Sequence, residues 1–407
     1  MALAALAGAA EGPGAEDLVN ALLAKLLDLG EMTTPELQKV VEEAGGIPYA
    51  AEVPVEFLGY EDLRTYLREV VDSEYPAGEA EADARTLIAF DLLEPGIDLR
   101  QVRRGLLEQN IAGFYDERPH RRRLYVVSED RRLTPMNQLI LSHELRHALQ
   151  DQHANVHTVV ADAIGDFDDR RLAYLALLEG DATFVMERFL RRRLEIARLD
   201  VPETSDFAMP VGDMPGTPAV LRDQMVLPYV IGTPFARDLW RRGGWAALQE
   251  AWSRPPDSTE QVLHPEKYWQ RERPAPVAFS YAPRKGFLLQ EGVLGEAYAR
   301  TLLGGAADSA AAGWAGDRFR VWDLDGRTLL VWRAQWENED EAREFEGALA
   351  ARYARTHQRA RSHRKTDVLQ KGSWRVAQWR RGQDVWLVGS DDGRALEKAL
   401  DELTTTS

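Results

Sequence analysis

Hydrophobic residues recur at helical spacing through much of the N-terminal half of the chain. Residues 16–29, 61–71 and 80–93 each place apolar side chains three or four positions apart, which predicts amphipathic helices. Residues 34–45 open with Thr-Pro-Glu and end at a Gly pair, the start and stop signals of a further helix. Residues 53–58 alternate between apolar and polar and predict a short strand. This half is therefore expected to be mainly helical.

Two longer helices are predicted near the middle of the chain. Residues 113–127 read as a β-hairpin, and the Thr-Pro pair at 134–135 supplies an N-cap and a first helical residue. The helix that starts there should run to about Asp151. A second long helix is predicted from about residue 167 to 198, since acidic residues lie near its start and arginines near its end.

The pattern changes again towards the C-terminus. Helices are expected at 234–242 and 244–252, after a Pro- and Gly-rich loop over 201–218. Beyond an Ala- and Gly-rich stretch, two pairs of strands are each followed by a helix. The strand pairs cover 318–332 and 373–388. This ββα-ββα order suggests a small α+β domain that arose by duplication.

These patterns predict a helix-rich α+β protein in three parts. Residues 1–52 form a leader-like segment and helices, 53–310 the main domain, and 311–407 the C-terminal α+β domain of unknown role. A chain of 407 residues is long enough for more than one core.

Composition narrows the functional classes. The net charge of −16 argues against a nucleic-acid partner, because phosphate binding needs a basic surface. The apolar runs are too short to span a bilayer. The chain has no Cys, so any transition metal must be held by His and carboxylates. The opening residues 1–10 are small and apolar, like the end of a secretory signal, so we favour an exported protein over one with an Ala-rich terminus.

The sequence H-E-L-R-H lies in the first of the two long helices. His143 and His147 are four residues apart, about 40° around the helix axis, so both imidazoles reach one ion. Glu144 lies beside them, where it can take a proton from a water that the metal activates. This pattern predicts a Zn²⁺ site with Glu144 as general base.

Two residues compete to be the third ligand. His153 has the spacing that metzincins use, but their chain bends at a glycine where this one has Gln150. In a continuous helix His153 lies about 120° around the axis from His147 and cannot reach the same ion. Glu179 lies on the apolar face of the second long helix, where a metal would relieve the cost of burying its carboxylate. Gly180 beside it is unfavourable in a helix unless another element approaches closely. We favour Glu179.

At this point the chain resembles the gluzincin branch of the zincin metallopeptidases, through H-E-L-x-H-A-L-Q-D-Q followed by E-G-D-A. It is more closely similar to a family of bacterial predicted metalloproteases, over roughly residues 53–320. Further matching segments are 113–116, 244–245 and 258–268. The resemblance implies a zincin fold, a peptide or protein substrate, and an edge strand from the hairpin that holds an extended peptide.

The resemblance also implies a donor for the oxyanion of the tetrahedral intermediate. His264 and Tyr268 are the natural candidates. Weaker alternatives are Tyr115, Tyr229 and Tyr281. Asp181 or Asp151 would orient the ligating histidines.

Two other functions stay open. A protein derived from a peptidase could keep zinc for structure alone and use its C-terminal domain to bind a partner. A latent peptidase could be covered by its terminal segments and become active after removal of residues 311–407. Oligomeric state does not follow from the sequence.

Overall fold

The computed structural model describes residues 30–110, 113–156, 168–196, 217–304, 309–364 and 366–405. Within these residues the chain forms twelve helices and ten strands in two sheets, so the α+β class is confirmed. The leader-like residues 1–10 and the predicted helix 16–29 lie outside the described residues, as does nearly all of the predicted loop 201–218.

The helices are α1 (Thr34–Gly45), α2 (Tyr60–Glu74), α3 (Ala77–Ala89), α4 (Leu99–Asn110), α5 (Pro135–Ala154), α6 (Asp169–Ile196), α7 (Ala219–Ser253), α8 (Thr259–Leu263), α9 (Pro265–Gln270), α10 (Gly295–Leu303), α11 (Glu339–Thr356) and α12 (Gly393–Thr405). The strands are β1 (Val55–Leu58), β2 (Gly113–Asp116), β3 (Arg123–Val127), β4 (Phe287–Gly292), β5 (Trp314–Leu324), β6 (Arg327–Trp336), β7 (Gln358–His363), β8 (Thr366–Lys371), β9 (Trp374–Arg381) and β10 (Asp384–Ser390). No described helix has the length and apolar character needed to cross a membrane.

The chain divides into two compact units. The first takes its described residues from 1–75, 100–163 and 173–256, and the second from 76–99, 164–172 and 257–407. The predicted division at residues 52/53 and 310/311 stays a prediction.

The first unit contains a three-stranded sheet in the order β1-β3-β2. Strand β1 is parallel to β3 and β2 is antiparallel to it, so β2 lies at one edge. The core of this unit joins α1, α5, α6 and the sheet through buried aliphatic side chains. Leu141 and Leu145 on α5 meet Val185 and Phe189 on α6 within it. This packing holds the two long helices side by side.

Helix α7 differs from the expected pair of helices. It begins at Ala219, fifteen residues before the predicted start, and continues through Pro228 and Pro234. Its helical backbone is interrupted at Gly244, where φ is 63° and ψ is −158°, a conformation that only glycine adopts readily. The break between 242 and 244 was therefore placed correctly, but the first segment is longer than its prolines suggested.

The second unit is built on an antiparallel seven-stranded sheet in the order β4-β5-β6-β10-β9-β8-β7. Trp332 and Trp336 of β6 face Phe345 of α11, whereas Leu329 and Val331, on the opposite face, pack with α12. Both expected ββα groups are present, as β5-β6-α11 and β9-β10-α12. Strand β4 and the β7–β8 hairpin between the two groups were not predicted from the sequence.

Candidate metal centre

Helix α5 presents His143 and His147 because its start and its packing are both well defined. The Thr134 hydroxyl accepts a hydrogen bond from the Asn137 N–H at 3.2 Å, and Pro135 occupies the first turn. The helix continues unbroken to Ala154. Its apolar face is buried, so the His143 side chain, on the same side, is only 2% exposed.

Helix α6 brings Glu179 to the same place, and a close helix crossing lies beside it. Gly180 contacts the backbone of Gly232 on α7, and a Cβ atom on either glycine would clash with the other helix. The close approach that Gly180 suggested is therefore present. It is needed because α7 must pass over α6 almost backbone to backbone.

Three donor atoms converge between α5 and α6. The Nε2 atom of His143 lies 3.1 Å from Oε2 of Glu179 and 3.0 Å from Nε2 of His147, and the distance from His147 Nε2 to Glu179 Oε2 is 3.4 Å. In a tetrahedral zinc site with ligands at about 2.0–2.1 Å, donor atoms are about 3.3 Å apart. Two imidazoles and one carboxylate are also a ligand set of catalytic zinc that leaves a position open. The residues therefore fit a zinc ion.

His153 is not among these donors. Its Nε2 atom lies 3.0 Å from the carbonyl oxygen of Pro48, and its ring packs near Trp252. This is the outcome expected when a helix runs straight through Gln150, because His153 then leaves the face that carries His147.

Charges within the cluster compensate one another. Burial opposes the charged form of the His147 imidazole, but the Glu179 carboxylate outweighs it and raises the pKa of His147 to about 10. Burial likewise opposes ionisation of Glu179, yet the two histidines lower its pKa well below the usual range. Without a metal, His147 and Glu179 therefore form an ion pair. A metal ion that binds there would displace the proton of His147.

Glu144 lies beside the cluster and is held by the edge strand. Its Oε2 atom accepts a hydrogen bond from the Tyr115 N–H at 3.0 Å. Burial raises the pKa of Glu144, while the neighbouring histidines oppose that rise. A carboxylate with a raised pKa beside such a cluster is suited to act as a base.

The residue that orients His147 is Gln150, which was noted in the sequence only because it stands where metzincins have a glycine. The Gln150 amide nitrogen donates to the Leu178 carbonyl at 3.0 Å and to Asp181 at 2.8 Å, so its oxygen faces Nδ1 of His147 at 2.8 Å. Asp181 is itself fixed by a buried bidentate pair with Arg146, at 2.9 and 3.0 Å. Of the two residues predicted to orient the histidines, Asp181 therefore acts on His147 through Gln150.

Asp151 serves a different part of the site. It accepts a hydrogen bond from the Tyr115 hydroxyl at 3.0 Å and pairs with Arg122 at 2.9 Å. These contacts attach β2 and the turn after it to α5. Asp151 thus positions the strand, and no contact between it and a ligating histidine is found among the described residues.

Tyr229 on α7 lies beside the cluster. Its ring is 5.9 Å from the His143 ring, and its hydroxyl interacts electrostatically with Glu179. Burial and the charges of Glu179 and Glu144 raise its pKa well above the usual value. The phenol therefore stays protonated and remains a donor at neutral pH.

The other proposed oxyanion donors belong to the second unit. Nε2 of His264 lies 3.0 Å from the buried Glu296, which also binds Arg300 at 2.6 Å. Tyr268 follows on α9, and its ring packs against Trp269. The roles given to His264 and Tyr268 stay predictions. Tyr281 is buried in the core beneath α12.

A second group of carboxylates has the spacing of a metal site. Glu260, Glu272 and Glu337 lie together in the second unit. The ammonium of Lys267 sits among them, 2.7 Å from Glu260 and 3.0 Å from Glu272, and it also contacts Glu337. The Lys267 ammonium already occupies the space between these carboxylates, so a metal ion would have to displace it.

Comparison with known proteins adds one result. A domain family of unknown function, DUF8575, matches residues 286–400, the segment that contains the seven-stranded sheet. This segment is less than half of the chain and lies outside the residues that form the His143 cluster. No curated protein and no solved structure matches the chain.

Proposed function

We propose that the protein is a zinc-dependent peptidase in which His143, His147 and Glu179 bind the metal. The observation that carries this proposal is the convergence of three donor atoms, 3.0–3.4 Å apart, beside the half-buried carboxylate of Glu144. A bound zinc ion would activate water for attack and polarise the scissile carbonyl. The intact Glu144 favours a catalytic over a structural metal, because a structural site needs no base.

The edge strand β2 supports a peptide as substrate. Leu124, the β3 partner of Tyr115, donates its N–H to Pro54, away from β2. Tyr115 therefore directs its own N–H and C=O outwards, and its N–H reaches Glu144. An extended peptide would donate a backbone N–H to the outward Tyr115 carbonyl. Its scissile bond would then pass next to the base.

The chemistry follows from two side chains beside the metal. Glu144 takes a proton from the attacking water while the remaining hydroxide adds to the carbonyl carbon. The Tyr229 hydroxyl turns from Glu179 to donate to the oxyanion, which His264 is less suited to do because Glu296 engages its Nε2 atom. Glu144 then returns the proton to the leaving nitrogen as the C–N bond breaks.

The test combines metal analysis with a digest of a peptide library. The wild-type protein should bind one zinc and cleave, Glu144→Gln should bind zinc but lose at least about 10³-fold in kcat, and Glu179→Ala should lose the zinc. His153→Ala is the matched control and should keep both. Stoichiometric zinc without any cleavage by the wild-type protein would instead indicate a binding protein with a structural metal.

A further inference from the structure

Strand β2 and helix α5 run alongside each other at the candidate site. Near the start of β2, a Cβ atom on Gly113 would lie 2.7 Å from a methyl of Leu141 on α5. Two residues later the Tyr115 N–H reaches Glu144, three residues further along the helix. Each step of two residues along the strand therefore matches about one turn of the helix. The end of β2 points along the turn that carries His147.

Glu117 is the first residue after β2, and it is half-buried. The charge of His147 acts on its carboxyl group, and so do the acidic neighbours Asp116 and Glu74. Burial is the main reason that the pKa of Glu117 is raised. Glu117 thus borders the path proposed for the substrate, next to a metal ligand, without being one of the donors.

The Glu117 carboxylate makes no ion pair with any residue that the structure describes. The neighbouring guanidinium of Arg118 binds Asp116 at 2.6 Å. That of Arg122 binds Asp151 at 2.9 Å and touches only the backbone oxygen of Glu117. Both nearby cations are committed to other carboxylates, so neither of them neutralises the half-buried Glu117 carboxylate.

We propose that Glu117 is a specificity residue that binds a cationic group of the substrate close to the scissile bond. This inference rests on the proposed peptidase function. A substrate cation would neutralise the carboxylate where water is partly excluded, which makes the charge pair stronger than one on an open surface. The group is an ammonium or a guanidinium. It comes either from a Lys or Arg side chain or from the free α-amine of a peptide.

The experiment uses the full-length zinc-loaded protein and peptides that differ in one charge. Lys and Arg at each position around the cleavage site are compared with norleucine and citrulline, and free N-termini with acetylated ones. We expect kcat/KM to favour the cationic peptide by at least about tenfold. Glu117→Gln should abolish the preference, and Glu117→Lys should reverse it towards acidic peptides. The matched control is Glu56→Gln on β1, whose carboxylate pairs with Arg123 on the sheet, and it should keep the wild-type preference.

A binding measurement provides an independent readout. In the Glu144→Gln background, the Kd of a fluorescent cationic peptide should rise by about tenfold when Glu117 becomes Gln, with little change for its neutral counterpart. Cleavage without charge preference, or a preference that Glu117→Gln leaves intact, overturns this inference and leaves the peptidase proposal standing. If no peptide is cleaved or bound, both proposals are wrong.

Discussion

At the scale of single residues, the orientation of one amide decides the tautomer of His147, a proposed metal ligand. The Gln150 nitrogen faces two acceptors, the Leu178 carbonyl and Asp181, so only its oxygen can face Nδ1 of His147. Once His147 is neutral it must then carry its remaining proton on Nδ1, which leaves the lone pair of Nε2 directed at the cluster. His143 has no comparable partner: its Nδ1 atom is buried without a hydrogen bond to any described residue, and packing alone orients it.

Replacement of Gln150 by Leu should weaken zinc binding by about 10–100-fold, because His147 loses the acceptor that fixes its tautomer. Competition with a chromophoric chelator measures the affinity. Gln152→Leu on the same helix is the matched control, since Gln152 binds only the backbone of the loop at 50–51. Equal zinc affinity in the Gln150→Leu variant would show that packing is sufficient to orient His147.

Zinc binding at pH 7.5 should release about one proton. In the metal-free protein the pKa of His147 is raised to about 10, so its imidazole is still protonated at that pH and must lose the proton to become a ligand. Calorimetric titrations in buffers with different ionisation enthalpies give the number released. A value near zero would mean that His147 is already neutral before the metal binds.

The same raised pKa makes the stability of the metal-free protein depend on pH. The pair with Glu179 stabilises the fold fully below the unfolded pKa of His, about 6.5, and this contribution is lost as the pH rises through about 10. Urea denaturation of the chelator-treated protein should therefore show a falling free energy of unfolding across this range. The Glu179→Gln variant should lose most of that dependence.

At the scale of elements, the crossing of α6 and α7 delivers Tyr229 to the site. Gly232→Ala should destabilise the protein by about 2 kcal/mol or more, because the new methyl would clash with the Ala176 carbonyl and push α7 away. Chemical denaturation measures the loss. Gly347→Ala, at an exposed helical position with open space around it, is the control and should stabilise by roughly 0.5–1 kcal/mol. Similar values for both variants would contradict a tight crossing.

The predictable elements were those with strong local signals. Helices α5 and α6 were anticipated because capping residues and charged termini mark their ends, and the helical period alone set His153 apart from Glu179. The first half of α7 was missed because Pro228 and Pro234 normally interrupt helices, whereas buried Ile231 and Phe235 hold this one in place.

The missed site contacts depend on long-range packing. Tyr229 meets Glu179 only because two glycines, fifty-two residues apart, let their helices touch. Gln150 orients His147 only because the buried pair of Asp181 and Arg146 restricts its amide. Neither contact has a signature within a short stretch of sequence. One signal was available, since a mid-helix glycine next to a proposed ligand already indicated a close neighbour.

At the scale of the whole molecule, bound zinc should stabilise one of the two units against local unfolding. All three donors, Glu144 and Tyr229 lie in the first unit, and the Lys267 ammonium already contacts all three carboxylates of the acidic group in the second unit. A ligand that binds only the folded site stabilises it by about 4 kcal/mol at a concentration of a thousand times its Kd. Unfolding events that disrupt the metal site must overcome this binding free energy. Local unfolding elsewhere in the chain does not have to overcome it.

Hydrogen exchange with and without a chelator distinguishes these openings. Zinc should slow exchange in the central turns of α5 and α6 by at least about tenfold, and leave local openings in β5, β6, β9 and β10 of the second unit unchanged. The zinc-free Glu179→Ala variant should show no difference on addition of the metal. If zinc protected both units equally, the chain would open as one cooperative body, and the metal would then stabilise the seven-stranded sheet as strongly as the helices that bind it.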